Sequence, residues 1–179
     1  MQKIVLTFGL IAGAILSVMM LATVPFMNDI GFDRGAVIGY TSMVLAFLMV
    51  YFGVRSYRDT VAGGAISFGR ALAVGALITL VATACYVATW EFIYHEITPD
   101  FADKYAAHAV EKDRLAGATP AQIEARTREM AEFKVMYGNP VINIALTFLE
   151  PLPVGLLIAL VCAGALRRQR AGMSLPQGA

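Results

Sequence analysis

One carboxylate in this chain sits where carboxylates are rare. The stretch "ALTFLEPLPVGLLIAL", residues 145–160, is apolar apart from Thr147 and Glu150, and Pro151 and Pro153 follow at once. An ionisable group inside a membrane span usually faces a protein interior or a water-filled cavity, because hydrocarbon does not solvate it. Asn143, Thr147 and Glu150 recur at i, i+4 and i+7, which sets them on one helix face. Proline has no amide hydrogen, so Pro151 leaves the carbonyl of Thr147 without its helical donor, and Pro153 does the same to Leu149. The segment is therefore a kinked helix or two half-helices, and the kink is the simpler arrangement because proline commonly bends helices sharply. In a kinked helix Glu150 is expected to be buried and neutral, donating to a polar neighbour. In a split helix the positive end of the second half would favour its ionised form. Counting inward from the outer ends of the spans puts Tyr86 and Thr83 at comparable depth. Glu150, Thr147, Asn143, Tyr86 and Thr83 thus form a candidate intramembrane polar cluster. Ser17, Thr41 and Ser42 lie at similar depth and extend it into a layer, unless each hydroxyl bonds its own helix at i−4.

The other reactive residue types are less well arranged. His95, Glu96, Asp100, Asp103 and His108 gather in one region, with Glu91 four residues before His95, but no metal-ligand spacing is recognisable. No metal site is assigned, and His108 reads as a packed ring. There is no GxSxG elbow, phosphate-binding glycine loop or HExxH motif. Without a nucleophile, a base and a group to orient it, no catalytic residue and no cofactor are assigned. Arg55, Arg58 and Arg70 flank hydrophobic runs and are candidate contacts to anionic lipid head groups, although arginines there also act as plain topology determinants.

The elements that must position these groups are apolar runs. Of 179 residues only 15% are charged, against roughly 25% in soluble domains. Four runs, about 4–24, 35–54, 71–93 and 141–166, reach the ~20 residues that a transmembrane helix needs. They predict an all-α membrane protein whose four transmembrane helices form a bundle. Residues 1–170 make one membrane domain, with 95–138 as an extracytoplasmic helical insert between the third and fourth helices and 171–179 as a flexible tail. The first run exceeds a signal-peptide core and is read as a retained helix. Lys3, Arg55, Arg58, Arg70, Arg167, Arg168 and Arg170 fall on one side, which makes both termini cytoplasmic. Cys85 and Cys162 differ in depth by on the order of 15 Å and cannot form a disulfide.

Small residues recur every fourth position in each run: Gly9 and Gly13, Gly35 and Gly39, Ala71 and Gly75, Gly155 and Ala159. Such stripes let helix backbones approach closely. Tyr51, Phe52 and Tyr57 at one end, and Trp90, Phe92, Tyr94 and Tyr137 at the other, read as interfacial belts. The insert carries two proline-led start signals. "TPDF" offers Thr98 as N-cap with Pro99 at the first helical position, and "TPAQ" adds a Thr119–Gln122 capping box. Phe101, Tyr105, His108 and Leu115 fall near one face of its first helix. Ile123, Met130, Phe133 and Tyr137 do so on the second, where Glu124 and Arg128 pair at i,i+4.

The motifs "GYTSM", "GVRSYRD", "GGAISFGRAL", "PDF" and "EPLPVGL" together resemble the domain-of-unknown-function 4199 family of bacterial membrane proteins. The resemblance spans about residues 1–170. It implies a four-helix protein of the bacterial inner membrane and carries no activity. The expected function is non-enzymatic engagement of a protein or lipid partner, the lipid bilayer itself included. The alternative is a small transporter or ion pathway with Glu150 as its protonatable group; four helices leave little room for a pathway, so it would need a homo-oligomer. The near-neutral net charge, +1, argues against a nucleic-acid partner.

Overall fold

The computed structural model describes residues 1–167, apart from the side chain of Asn28. The expected tail at 171–179, and Arg168 and Arg170, lie outside the described residues. The elements are α1 (Gln2–Thr23), a 3-10 turn (Val24–Phe26), the single-turn α2 (Met27–Ile30), α3 (Phe32–Thr60) and α4 (Phe68–Phe92) with a π-helical extension (Ile93–Ile97). They continue with α5 (Phe101–Leu115), α6 (Pro120–Tyr137), α7 (Pro140–Leu149) and α8 (Pro151–Leu166). Four segments are long and apolar enough to cross a membrane: Gln2–Phe26, Phe32–Thr60, Phe68–Ile97 and Pro140–Leu166. This is an all-α membrane bundle with a helical hairpin, α5–α6, between its third and fourth spans.

Local chemistry sets the boundaries. Gly31 ends α2 at φ 77°, a conformation that only glycine adopts without strain. Ser67 caps α4, its hydroxyl accepting from the Arg70 amide at 3.4 Å. Thr119 and Gln122 close the capping box of α6. Asn139 caps α7, where its side-chain oxygen accepts from the amides of Val141 (3.0 Å) and Ile142 (3.4 Å). Thr98 departs from expectation. The third span runs on through Ile97, and the amide of Thr98 closes its π turn onto the carbonyl of Ile93 at 2.8 Å. Thr98 thus ends one helix instead of starting the next, and α5 begins at Phe101 behind Asp100.

The central helix is α4, which packs against α1, α3 and α8. Gly13 allows one of these approaches: a Cβ there would fall 2.6 Å from Cys85 Cβ on α4. Gly75 does the same for α8, where Ala159 Cβ would lie 2.9 Å away. Phe47, Met43, Val50, Val74 and Ile78 fill the interior and are essentially inaccessible. Leu10, Val18, Val37, Leu48, Leu157 and Val161 point outward as the apolar faces a bilayer would cover. The α3 stripe is different, because a Cβ on Gly39 would meet nothing within 4 Å. Gly35, one turn earlier, is covered by the Met27 side chain, so the stripe borders empty space at Gly39 alone.

The fourth span is bent, not severed. Glu150 keeps helical dihedrals (φ −69°, ψ −57°) between α7 and α8, and the ladder is interrupted where the prolines remove their amides. Beyond the bend α8 packs on α3 and α4, whereas α7 packs on α4 and α6 and does not run along α3. One half of the bundle is therefore closed and the other parted.

The hairpin covers the parted end. Ala106, Ala109 and Met130, flanked by Val110 and Phe133, form its own small core. Lys134 pairs with Asp103, and Arg126 with Asp113 at 3.4 Å, from one arm to the other. Glu124 and Arg128 meet at 3.9 Å. Leu115, expected on the packed face, is 79% exposed at the tip, because the turn at Gly117 carries it past the end of α6. Phe101, Tyr105 and His108 serve the bundle as well as the hairpin. The ring of Phe32 at the start of α3 lies 5.8, 5.6 and 5.2 Å from theirs. Lys112 adds an ion pair to Asp33 at 2.7 Å.

Candidate functional site

The parted end encloses a cavity of about 270 Å³. Each wall comes from a different element. Leu16, Met19, Met20 and Thr23 of α1 and Met27 of α2 make one side, and Gly35, Ala36, Gly39 and Ser42 of α3 another. Tyr86 and Trp90 of α4 form the back, while Thr147 and Glu150 of α7 close the side the bend has swung out. Phe32, Phe101, Tyr105 and Tyr137 roof it. The space follows from the sequence: prolines displace α7, and glycine and alanine on α3 put no side chain into the gap.

Glu150 stands at this cavity with its side chain accessible, so the expectation that it is buried is corrected. At the proline break the residue borders the gap while still reaching the neighbouring α4. Tyr86 donates its hydroxyl hydrogen to Glu150 Oε2 at 2.9 Å, joining α4 to the bend. Asn143 and Thr147 are buried on the same α7 face. The Thr147 hydroxyl donates to Asn143 Oδ1 (3.2 Å), and Asn143 Nδ2 donates to the carbonyl of Tyr137 (3.4 Å). Thr83 is fully buried one turn before Tyr86, with no hydrogen-bond partner for its hydroxyl and no part in the cavity wall. The structure thus brings Glu150, Tyr86, Thr147 and Asn143 together and leaves Thr83 apart.

The wider polar layer does not gather at the cavity as one network. Thr41 and Ser42 donate to the carbonyls four residues back, Val37 and Ile38, each at 2.7 Å. Ser17 meets Thr89 at 2.7 Å, tying α1 to α4. At the other end of the bundle Arg58 pairs with Asp59 at 2.7 Å and Arg55 with the same residue at 3.7 Å. Arg70 donates to the Tyr57 hydroxyl at 3.1 Å. His95 lies 3.5 Å from Glu91 and His108 3.8 Å from Asp33, so the two histidines serve different elements.

Sequence reasoning did not anticipate the aromatic roof. Trp90 and Tyr137 read as belt residues, yet Trp90 Nε1 donates to the Tyr137 hydroxyl at 2.9 Å over the cavity. Burial pushes that hydroxyl up to about 12, so Tyr137 remains neutral. The available signal was the spacing of Phe101, Tyr105 and, across the hairpin, Phe133 and Tyr137. Their rings form a continuous set with centroids 5.1 to 6.1 Å apart.

Chemically, the site offers one carboxyl group, aromatic faces and sulfur-rich apolar walls. No lysine, arginine or histidine lines it among the described residues. Among the described residues that line it, no nucleophile stands beside a base. A family model described as a protein of unknown function (DUF4199) matches residues 7–168. No curated protein and no solved structure matches the chain.

Proposed function

The chain belongs to the DUF4199 family of proteins of unknown function, and from that premise we propose that it is a non-enzymatic binding protein of the bacterial inner membrane. It crosses the membrane with four spans, keeps both termini in the cytoplasm and takes a small amphipathic molecule into the cavity beneath its outer hairpin. One observation carries the reading: a half-enclosed cavity, mostly apolar, reaches an accessible intramembrane carboxyl group. Its volume is near the lower end of the ~300–1,000 Å³ range of small-molecule sites, and a few placed polar groups on apolar walls are how such sites fix orientation. The partner is thus a lipid-soluble molecule, reached through the gap between α3 and α7. The orientation rests on Lys3, Arg55, Arg58 and Arg70 lying at the end opposite the hairpin.

The test is extraction with surrounding bilayer and identification of what accompanies the protein. A discrete small amphipathic molecule should be released on denaturation and be missing from Gly39→Phe, in which the new ring occupies open space. Identical bulk lipid from both forms would refute the reading.

A second reading has support from the same geometry. Glu150 is the one carboxyl group facing the cavity among the described residues, so a homo-oligomer could couple movement of the bound molecule to a proton there. A proton-dependent flux that survives Glu150→Gln would exclude it.

A further inference from the structure

We propose, resting on the binding reading above, that the cavity selects a lipophilic organic cation, a quaternary or protonated amine carrying an apolar tail. The charge of the lining is one-sided. Glu150 carries the only carboxyl group among the described residues that line it, and no basic side chain is among them. An anion would face that carboxylate with nothing to offset it, whereas a cation would neutralise it.

The hydrogen-bond inventory leads to the same class. Trp90 gives its indole hydrogen to Tyr137 and Tyr86 gives its hydroxyl hydrogen to Glu150. The hydroxyls of Thr23, Ser42 and Thr147 donate to Met19, Ile38 and Asn143. That leaves the hydroxyls of Tyr105 and Tyr137 as the only uncommitted side-chain donors among the described lining residues, too few to cage a phosphate, a carboxylate or a sugar. The rest of what faces the empty space is acceptor oxygen and aromatic ring. Ring faces attract an alkylammonium group through their quadrupole, most strongly for tryptophan, and the attraction grows in a water-poor site. Phe32, Trp90, Phe101, Tyr105 and Tyr137 supply those rings. Met19, Met20 and Met27 opposite them supply flexible, polarisable thioethers that adapt to tails of different shape.

Two probes of one shape isolate the charge: benzyltrimethylammonium and its neutral isostere neopentylbenzene. Each is titrated into the full chain in lipid nanodiscs, with partitioning into empty discs subtracted. Trp90 is the single tryptophan of the sequence, so emission changes report on the cavity itself. The cation should bind at least about tenfold more tightly than the isostere. Glu150→Gln should weaken the cation about tenfold and leave the isostere unchanged, and Gly39→Phe should weaken both. Equal affinities in the unaltered protein would overturn cation selection while leaving the binding reading intact, and this comparison needs no variant to fold. A cation preference that survives Glu150→Gln would overturn the selection mechanism. Binding of neither probe would remove both the inference and the reading beneath it.

Discussion

Tyr86 and Glu150 share one hydrogen bond, and their surroundings make the two ends unequal. Tyr86 is half-buried on α4, while Glu150 opens onto the cavity and can be reached by water or ligand. Removing the acceptor should therefore hurt more than removing the donor. Glu150→Leu should lower stability by about 1 kcal/mol, since it strands the tyrosine hydroxyl. Glu150→Gln, which keeps an acceptor oxygen, should fall within about 0.5 kcal/mol of the parent. Tyr86→Phe should lie between them, all read as thermal unfolding in one detergent. The meeting of these two residues could be foreseen, because depth along a helix follows from the rise per residue. Thr83 has nearly the same depth, but rotation about the helix axis decides which side chain reaches a neighbour. One sequence does not fix that rotation for a helix surrounded by partners.

Glycines with the same spacing do different things. Gly9 and Gly13 bring α1 against α4, whereas on α3 Gly35 is covered by the Met27 side chain and Gly39 borders open space. Gly13→Val should push the helices apart and destabilise the bundle by roughly 1–3 kcal/mol, the usual range for overpacking. Gly39→Ala should change stability by less than about 0.5 kcal/mol, because its methyl group enters open space. Parallel unfolding measurements would settle the contrast, and equal effects would contradict the arrangement of the cavity. The stripes themselves were legible as a pattern, but their partners were not: spacing tells which residues share a face, never what stands opposite. The hairpin shows a similar limit. Its second start signal, Thr119 with Gln122, is a local code and could be read directly. Its first was overridden because Thr98 was already used to close the π turn of the preceding span.

For the whole molecule, the apolar runs and the four spans agree because bilayer thickness imposes a length that no tertiary contact can override. Sidedness follows from charge. Starting from a form with Cys85 and Cys162 replaced, a cysteine at Ser56 should be shielded from an impermeant reagent in intact cells, and one at Ala118 should react. The reverse pattern would invert the assignment. The cavity was not legible, since it arises from the angle between α7 and α8, a quantity set by packing on α4 and α6 as well as by Pro151 and Pro153.

That bend makes the molecule responsive to its solvent. With two ladder hydrogen bonds missing, the helix is less constrained at Glu150 than along an unbroken span. A thicker bilayer favours spans that stand more upright, and a thinner one favours tilt. Acyl-chain length should therefore act on the gap between α3 and α7 as a screw acts on a vice. A cysteine at Gly39 should become slower to label as the surrounding lipids lengthen, while one at Val161, on the straight half facing lipid, should not follow the same trend.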